Sequence, residues 1–449
     1  MKKFKIEQLD KYYDPLNVYR IFKDEEDSAF LDSSKEDSTY SQYSFIGINP
    51  IWKFKSYQNV CYINERKITG VNPFDKLEEL INENKIETES SIPFVGGAIG
   101  YFSYDIGRTL EKLPETAEED MKLEDSIFIL YENIIIFDLK EKKMYISALS
   151  DKAEESIALV KEKLRNYKDI EKIGFEEKNT EFYTNLNKKD FEERVEKLRE
   201  YIRSGDVYIA NMTRRICCHN NDDSFQVYEK LRSINEAPFS AFLNYKDFQV
   251  VSSSPERFLN VIDGRVTTRP IKGTRPRGKT LKEDLKNRKE LENSEKDKSE
   301  LLMIVDLERN DLSRVCSPGT VKVTELFKIE EYATVFHLVS TIEGQLKKEF
   351  SSVKCMKACF PGGSITGAPK IRAMEVIEEL EGLRRNIYTG SIGYFDLRGN
   401  CDFNIVIRTI IKKGDKAYFG AGGGITWESE KTAEWYETCD KAKALMKVL

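Results

Sequence analysis

Short apolar segments joined by charged turns place the strongest limit on how this chain can fold. Residues 134–138 and 143–146 are two such segments, and residues 239–243 and 248–252 form a second pair. Two strands separated by so short a turn pair in opposite directions. The pattern therefore predicts antiparallel β structure in both halves of the chain.

Helices are predicted between these strands. Residues 73–83 and 151–167 are two of them, and a third begins at an N-capping Asn187 and ends at Gly205. A chain of 449 residues that is 40% hydrophobic can bury a large core, in one large domain or in two to three ordinary ones. We therefore predict an α+β protein with its helices outside the sheets.

Charge and composition argue against several functions. The 71 basic and 77 acidic residues leave a net charge of −6, which argues against non-specific nucleic-acid binding. The N-terminus lacks the apolar run of a secretion signal, and no apolar stretch is long enough to cross a membrane. Cys355 and Cys359 are predicted to be free thiols on one helix face. We expect a soluble cytoplasmic protein with reduced thiols.

A basic segment, residues 269–277, carries a lysine between two prolines. The preceding residues 265–268 predict a strand, and the prolines with Gly273 then predict an extended turn. Lys272 would stand at the strand end, flanked by arginines. Two interpretations stay open on the residues alone. One is a solvated basic loop, and the other is a nucleophilic lysine kept deprotonated by neighbouring positive charge and burial.

Three glutamates lie on predicted helices. In a helix over 299–309, Glu300 shares a face with Ile304, so its carboxylate is predicted to point inward. Glu434 and Glu437 are three residues apart on the C-terminal helix and are therefore neighbours on one face. That pair could simply be solvated. If the two helices face one another, three carboxylates converge on a hard cation, for which Mg²⁺ is the natural choice.

Two glycine-rich segments indicate a site for an anion. Residues 361–370 precede a predicted helix with Pro369 in its first turn, where exposed N–H groups and the helix dipole would bind a carboxylate or phosphate. Residues 420–424 follow a strand and lie ahead of the glutamate-bearing helix. The chain has only two histidines, His219 and His337, and no GxSxG or HExxH motif. Histidine-based triads and metal sites are therefore limited to these two residues.

Taken in order, these motifs resemble those of chorismate-utilising enzymes. The matching segments are densest after residue 199 and comprise residues 204–206, 237–242, 254–258, 270–274, 303–311, 337–340, 361–370 and 388–394. The resemblance implies large antiparallel β-sheets packed as a sandwich with helices on the outside. It also implies an N-terminal anthranilate-synthase-like subdomain (1–170), a linker (171–185) and a chorismate-binding catalytic domain (186–449).

Within this family the resemblance is to the aminodeoxychorismate synthase component I branch. It implies that Lys272 is the nucleophile, Glu256 the general acid and His337 an active-site histidine. The implied magnesium ligands are Glu300, Glu437 and, in an assisting role, Glu434. The implied substrate-binding residues are Thr366, Tyr388, Arg408, Gly422, Gly423 and Gly424.

The implied activity is amination of chorismate to 4-amino-4-deoxychorismate, on the route to 4-aminobenzoate and folate, through a covalent adduct on Lys272. Ammonia would come from a separate glutamine amidotransferase subunit, because the chain shows no glutaminase motif. Ile209 stands where the family commonly has a polar residue, which argues against water as the nucleophile.

Three points stay open at this level. Residues 30–34 match part of a tryptophan-binding pattern, so tryptophan in the N-terminal subdomain is one conceivable partner. An anthranilate synthase component I would share the fold and the metal site. A non-catalytic paralogue that binds chorismate or an amino acid would be expected to have lost acidic residues that this chain retains.

Overall fold

The computed structural model describes residues 3–34, 42–170, 174, 178–332 and 335–449. Its strands are β1 (Lys3–Gln8), β2 (Ala29–Asp32), β3 (Tyr43–Tyr57), β4 (Val60–Ile63), β5 (Arg66–Thr69), β6 (Gly97–Phe102), β7 (Ser126–Asp138), β8 (Lys143–Ser150), β9 (Tyr183–Thr184), β10 (Ile209–His219), β11 (Phe239–Asn244), β12 (Gln249–Ser254), β13 (Arg257–Ile262), β14 (Arg265–Arg269), β15 (Ile271–Pro276), β16 (Lys322–Glu331), β17 (Val335–Gln345), β18 (Gly367–Ala368), β19 (Ser391–Asp396), β20 (Cys401–Asn404), β21 (Thr409–Lys413) and β22 (Lys416–Ile425).

The helices are α1 (Pro15–Phe22), α2 (Pro73–Glu83), α3 (Ala153–Leu164), α4 (Lys188–Arg203), α5 (Ser224–Ile234), α6 (Leu281–Glu292), α7 (Glu295–Val315), α8 (Ser352–Cys359), α9 (Lys370–Glu381) and α10 (Lys431–Lys447). Helix α4 begins where the sequence predicts, because the Asn187 side chain accepts a hydrogen bond from the Asp190 N–H. It ends just before Gly205, whose φ of 82° suits glycine.

The described strands pair antiparallel, as predicted. Both predicted hairpins are present: β7 pairs with β8 and β11 pairs with β12. Helices lie against this sheet system, for example α3 against β8 and α10 against β22. The prediction of an α+β fold built from large antiparallel sheets with outer helices is therefore confirmed.

Strands from the two halves of the chain belong to the same hydrogen-bonded system. β2 pairs with β11, where Leu31 lies opposite Ala241, and β6 pairs with β19, where Ile99 lies opposite Tyr394. One core cluster joins side chains of both halves, among them Tyr101 from β6 and Val250 from β12. The division at 1–170 and 186–449 stays a prediction, and part of the predicted linker lies outside the described residues.

Two predicted elements are corrected. In the apolar segment 92–105 the sequence predicts a single buried strand; the observed strand is shorter, namely β6, and a 3₁₀ helix at Tyr104–Thr109 follows it. The chain leaves the sheet there because the Tyr104 N–H donates to the Asn386 carbonyl.

The extended turn predicted over 269–277 is the second correction. That segment contains β15, which pairs with β17 and has a bulge at Gly273. Pro270 removes only one donor, and β17 is long enough to pair with both β14 and β15. A smaller correction concerns Pro369, which is the N-cap of α9 rather than part of its first turn.

Two predictions about composition can be compared with the described residues. All eight cysteines are free, and Cys355 and Cys359 are buried on α8. Across the described ranges, none of the helices combines the length and the apolar surface that crossing a bilayer requires.

Candidate active site

Lys272 is the residue around which the candidate site is arranged. It lies on β15, and its Nζ donates to the Ser364 carbonyl oxygen at 3.0 Å. A Cβ atom at position 424 would lie 3.4 Å from this Nζ and 3.1 Å from Ile209 Cδ1. Glycine at 424 thus leaves space beside the lysine, and buried Ile209 forms an apolar wall next to it.

Glu256 is a buried acid close to Lys272. It lies in the turn between β12 and β13 and is 5% exposed. Burial raises the pKa of Glu256, while the Ser364 hydroxyl, the Lys272 ammonium and the Ile271 N–H act in the opposite direction. A protonated carboxyl beside a lysine can donate a proton to a leaving group.

The three predicted carboxylates come from α7 and α10, and two lysines accompany them. Lys296 Nζ lies 3.8 Å from Glu300 Oε1 and 3.8 Å from Glu434 Oε1. Lys441 Nζ lies 2.6 Å from Glu437 Oε1 and donates to the Gly422 carbonyl oxygen at 2.8 Å. The faces of α7 and α10 that carry the glutamates therefore approach each other, with Lys296 shared between Glu300 and Glu434.

The electrostatics of these carboxylates follow from burial and from the lysines. Burial raises the pKa of Glu300 to about 7, opposed by Lys272 and Lys296. Burial also raises the pKa of Glu434, and the charge of Glu437 adds to that shift. The Lys441 ammonium lowers the pKa of Glu437. Buried carboxylates such as Glu300 and Glu434 need a cation or a proton.

The donor chemistry of this cluster fits Mg²⁺. Among the residues that the structure describes, no three His, Cys, Asp or Glu side chains are already close enough together to hold one ion. Glu300 and Glu434 nevertheless share one ammonium nitrogen, so a single cation can lie between them. Carboxylate oxygens are the ligands that Mg²⁺ prefers.

The glycine run of β22 forms the floor of the site. Gly422, Gly423 and Gly424 lie opposite Thr213, Met212 and Asn211 of β10. A Cβ atom at position 423 would lie 3.2 Å from Glu437 Oε1. The floor therefore reaches from the carboxylates at Gly423 to Lys272 at Gly424, and side chains at these positions would occupy the site.

Tyr388 and Arg408 border the same floor. The Tyr388 ring covers Gly420, where a Cβ atom would lie 2.3 Å from Tyr388 Cδ1. Burial raises the pKa of the Tyr388 hydroxyl, so it stays a neutral hydrogen-bonding group. Arg408 Nη1 donates to the Lys441 carbonyl oxygen at 2.7 Å. This guanidinium therefore lies beside the carboxylate end of the site.

Thr366 and His337 lie at the edges of this arrangement. Thr366 is fully buried, its hydroxyl donates to the Gly362 carbonyl at 2.9 Å, and its own carbonyl accepts from the Asn211 N–H at 2.8 Å. These contacts fix the glycine-rich segment to β10. Thr274 Oγ1 lies 2.9 Å from His337 Nδ1, which places the histidine beside the strand that carries Lys272.

Sequence reasoning missed three residues of this site. Lys296 and Lys441 were not singled out, although each stands four positions from a predicted metal ligand, a spacing that places side chains together on a helix. Ser364 was noticed only as part of a glycine-rich segment. Its carbonyl contact with Lys272 depends on the tertiary fold, and no sequence signal reports it.

A second cavity lies away from Lys272. It has a volume of about 350 Å³, and its lining includes Leu31, Asp32, Ser33 and Tyr394. The Asp32 carboxylate accepts hydrogen bonds from the Tyr228 hydroxyl at 2.8 Å and from Arg232 Nε at 2.6 Å. The cavity includes part of the segment 30–34, and tryptophan as its ligand stays a prediction.

Comparison with known proteins gives a consistent picture. A family model described as "chorismate binding enzyme" matches residues 26–447. Aminodeoxychorismate synthase component 1 of Escherichia coli (strain K12) is 38% identical over 94% of this chain and 93% of its own length. Anthranilate synthase component 1 of Acetivibrio thermocellus is 36% identical over 97% of this chain and 92% of its own length.

A solved structure of a related protein has the same fold. The crystal structure of anthranilate synthase component I from Streptococcus pneumoniae TIGR4 has a TM-score of 0.81 and 33% sequence identity, and covers 91% of this chain and 93% of that one. A half-buried lysine beside a buried acid, next to carboxylates and a glycine floor, lies within the matched range. The chain therefore belongs to the family of chorismate-binding enzymes.

Proposed function

We propose that this protein is the synthase component of an aminodeoxychorismate synthase. It would convert chorismate and ammonia to 4-amino-4-deoxychorismate for 4-aminobenzoate and folate synthesis. The observation that carries the proposal is the position of Lys272, whose Nζ lies between the Ser364 carbonyl and Gly424. A nucleophilic amine at this point divides one difficult substitution into two easier ones.

The two covalent steps follow from the residues beside Lys272. In the first, the uncharged Nζ forms a bond to C2 of chorismate, the two ring double bonds shift, and the C4–O bond breaks. Glu256 donates its proton to the departing oxygen, which leaves as water. In the second, ammonia forms a bond at C4 and loses one proton to the Glu256 carboxylate, the double bonds shift back, and the C2–Nζ bond breaks, which releases the product and returns Nζ as an uncharged amine.

The remaining site residues would hold the substrate. Arg408, with the amides of the glycine floor, would bind the enolpyruvyl carboxylate, because a guanidinium offers paired donors to a carboxylate. Tyr388 would donate a hydrogen bond to the same group. Glu300, Glu434 and Glu437 would hold Mg²⁺, which when bound supplies positive charge for the ring carboxylate. Thr366 and His337 are proposed to border the ring.

The choice of ammonia over water is supported by Ile209. This side chain is 1% exposed and lies beside Lys272. An apolar group offers no base that could activate water. Ammonia would be supplied by a glutamine amidotransferase component, in line with the name "component 1" of the relatives.

Product identification tests the proposal. Chorismate, Mg²⁺ and ammonium are incubated with the protein at alkaline pH, and products are separated by chromatography and mass spectrometry. We expect a non-aromatic amino compound that retains its enolpyruvyl group and yields 4-aminobenzoate when a lyase is added. Fluorescent anthranilate as the main product would overturn the proposal.

Anthranilate synthesis is the second candidate because the relatives with that name are nearly as similar, at 36% against 38% identity. It would use the same carboxylates and arginine. It gives no role to Lys272 as a nucleophile. The same product analysis distinguishes the two activities.

A further inference from the structure

Glu308 is a buried carboxyl group that the steps above do not use. It lies on α7, two turns beyond Glu300, and is 5% exposed. The Thr268 hydroxyl donates to Glu308 Oε2 at 2.8 Å. Thr268 belongs to β14, the strand that leads into the Lys272 segment. One buried hydrogen bond therefore joins the helix that carries Glu300 to the strand before Lys272.

Glu308 also lies against the segment that holds Lys272. A Cβ atom at Gly363 would lie 2.8 Å from Leu307 Cδ2 and 3.5 Å from Glu308 Cγ, so this glycine packs closely on α7. The next residue, Ser364, accepts the hydrogen bond from Lys272. Glu308 thus lies where α7, β14 and the glycine-rich segment meet.

The charged groups facing Glu308 come from three directions. Glu256 lies in the turn after β12, Asp311 lies on α7, and Lys370 begins α9. Lys370 Nζ is 2.6 Å from Asp311 Oδ2 and donates to the Cys359 and Pro361 carbonyls at 2.8 Å each. The Lys370 ammonium is therefore engaged by Asp311 and two carbonyl groups.

We propose that Glu308 is a positioning residue that works as a neutral carboxylic acid, fastening α7 to β14 and allowing Glu256 to release its proton without a second negative charge beside it. The inference rests on the role proposed for Glu256. When Glu256 donates its proton it becomes a buried carboxylate. An ionised Glu308 would oppose that change by repulsion, and Glu256 would become a weaker acid.

Electrostatics supports the neutral form. The pKa of Glu308 is raised to about 8, chiefly by burial; the Thr268 hydroxyl and Lys370 oppose the shift, and the charges of Glu256 and Asp311 add to it. Two close carboxyl groups in a buried site rarely ionise together. Near neutral pH the proton would stay on Glu308.

The test compares wild type with Glu308→Gln, which imitates the neutral acid permanently. Asp306→Asn, at a position on the solvent side of α7 with its side chain 63% exposed, is the matched control. Thermal and urea unfolding are measured between pH 4 and pH 9 without metal or substrate. Chorismate consumption is then measured with Mg²⁺ at constant free ammonia.

The raised pKa of Glu308 predicts the direction in which protein stability changes with pH. The folded pKa of about 8 lies above the ordinary value of 4.5, so ionisation is disfavoured in the folded state. Wild type should lose stability relative to Glu308→Gln as the pH rises through this interval, and the difference should level off above it. The unfolding equilibrium constants should diverge by up to roughly a thousandfold. A difference that does not vary with pH would overturn the inference.

The activity measurements distinguish a positioning role of Glu308 from a role in packing alone. Loss of the Glu256 proton lowers kcat at alkaline pH in both proteins, and we expect wild type to show an additional fall above the Glu308 transition that Glu308→Gln lacks while keeping its KM for chorismate. Asp306→Asn should keep the wild-type profile. Identical alkaline profiles of kcat for wild type and Glu308→Gln would overturn the inference.

Failure of the proposed function gives a different result. Chorismate consumption does not depend on which product forms, so anthranilate as the product would overturn the proposed function and leave both arms valid. Absence of any consumption by wild type would overturn the two proposals together. Glu308→Ala serves as a further variant: if Gln restores the kcat that Ala loses, the hydrogen bond to Thr268 is the property that matters.

Discussion

Lys272 has a fixed position because its strand, its hydrogen bond and its neighbours act together. Its Nζ donates to the backbone carbonyl oxygen of Ser364, a neutral partner. The bulge at Gly273 interrupts the pairing of β15 with β17 directly after the lysine. Such a bulge re-aims neighbouring side chains.

Replacing Lys272 by alanine should abolish amination while leaving substrate binding largely intact. We expect kcat to fall by about a thousandfold or more, because the covalent route is lost. Affinity for chorismate, measured by calorimetry, should change little, since the proposed carboxylate contacts come from Arg408 and the metal site. Intact-protein mass spectrometry of acid-quenched wild type should show an adduct that the variant lacks.

Lys298→Ala is the control for this variant. Lys298 lies on the adjacent α7, and its nearest carboxylate is the exposed Glu295 at 3.4 Å. It should keep wild-type kcat and the adduct. Near-normal turnover by Lys272→Ala would show that Lys272 is not the nucleophile.

Two neighbouring glycines should respond differently to the same substitution. A methyl group at 424 would lie 3.4 Å from Lys272 Nζ, and one at 423 would lie 3.2 Å from Glu437 Oε1. Gly424→Ala should lower kcat roughly tenfold with little change in Mg²⁺ affinity. Gly423→Ala should weaken Mg²⁺ binding roughly tenfold. Calorimetric titration with Mg²⁺ and chorismate consumption measure the two effects, and identical behaviour of the two variants would contradict the assignment.

The sequence predicts which residues belong to the candidate site better than it predicts which of them contact one another. Glu300 points inward as its helical spacing indicates, and it is 9% exposed. The sequence does not distinguish Lys296, because a lysine next to acidic residues on a helix ordinarily forms a surface ion pair. Its contact with Glu434, which is far away in sequence, exists only after α7 and α10 have packed. Residue roles stay predictions until variants are measured.

Helices α7 and α10 bring like charges together, and this arrangement has a cost. Glu300 and Glu434 both have a raised pKa, chiefly because burial disfavours their charge. Lysine side chains offset part of that penalty in the described structure. Sites that bind cations commonly reduce the stability of the protein in this manner.

Glu300→Gln should therefore stabilise the metal-free protein. The folded pKa of about 7 lies above the ordinary 4.5, so the ionised form is disfavoured in the folded state and stability is lost as the pH rises through this interval. At pH 8 the gain from removing the charge is of the order of 3 kcal/mol, and at pH 4 it should vanish. Urea unfolding of wild type and Glu300→Gln in the presence of a chelator measures the difference in stability at both pH values.

Added Mg²⁺ should reverse the order of stability. Ligand binding to the folded state stabilises wild type in proportion to its affinity, whereas Glu300→Gln lacks one proposed ligand. Glu295→Gln, at an exposed position on the same helix, should behave as wild type throughout. If the stability difference between wild type and Glu300→Gln changed neither with pH nor with Mg²⁺, Glu300 would be neither a carboxylate with a raised pKa nor a magnesium ligand.

A helix whose ends are marked by nearby residues was predicted correctly, whereas a strand that depends on a partner strand distant in sequence was not. Helix α2 has the predicted bounds, since Asn72 caps it and Pro73 begins it. Strand β15 was predicted as a turn because its prolines and glycine discourage pairing locally. Its partner β17, which determines the outcome, is distant in sequence: Ile271 of β15 pairs with Val339 and Pro276 with Val335. Long-range pairing is what a local pattern cannot report.

The whole molecule is built so that neither half completes its own sheet. Strand β11 of the second half lies between β12 and β2, and β19 lies between β20 and β6. Both β2 and β6 come from the first half. Side chains such as Phe45 and Tyr394 then pack together in one core, with ring centroids 5.6 Å apart. The resemblance implies two subdomains with the N-terminal part wrapped into the catalytic part, but not which strands pair across them.

We therefore predict that the chain unfolds as one cooperative unit. Scanning calorimetry of the full chain should show a single transition whose calorimetric and van't Hoff enthalpies agree. Residues 186–449 expressed alone should aggregate, because removal of β2 and β6 leaves the edges of β11 and β19 unpaired. Two separate unfolding transitions would instead show that the boundary predicted from sequence is a real domain boundary. A soluble 186–449 fragment that retains Mg²⁺ binding would show the same. Either result would mean that the shared strands contribute little to stability.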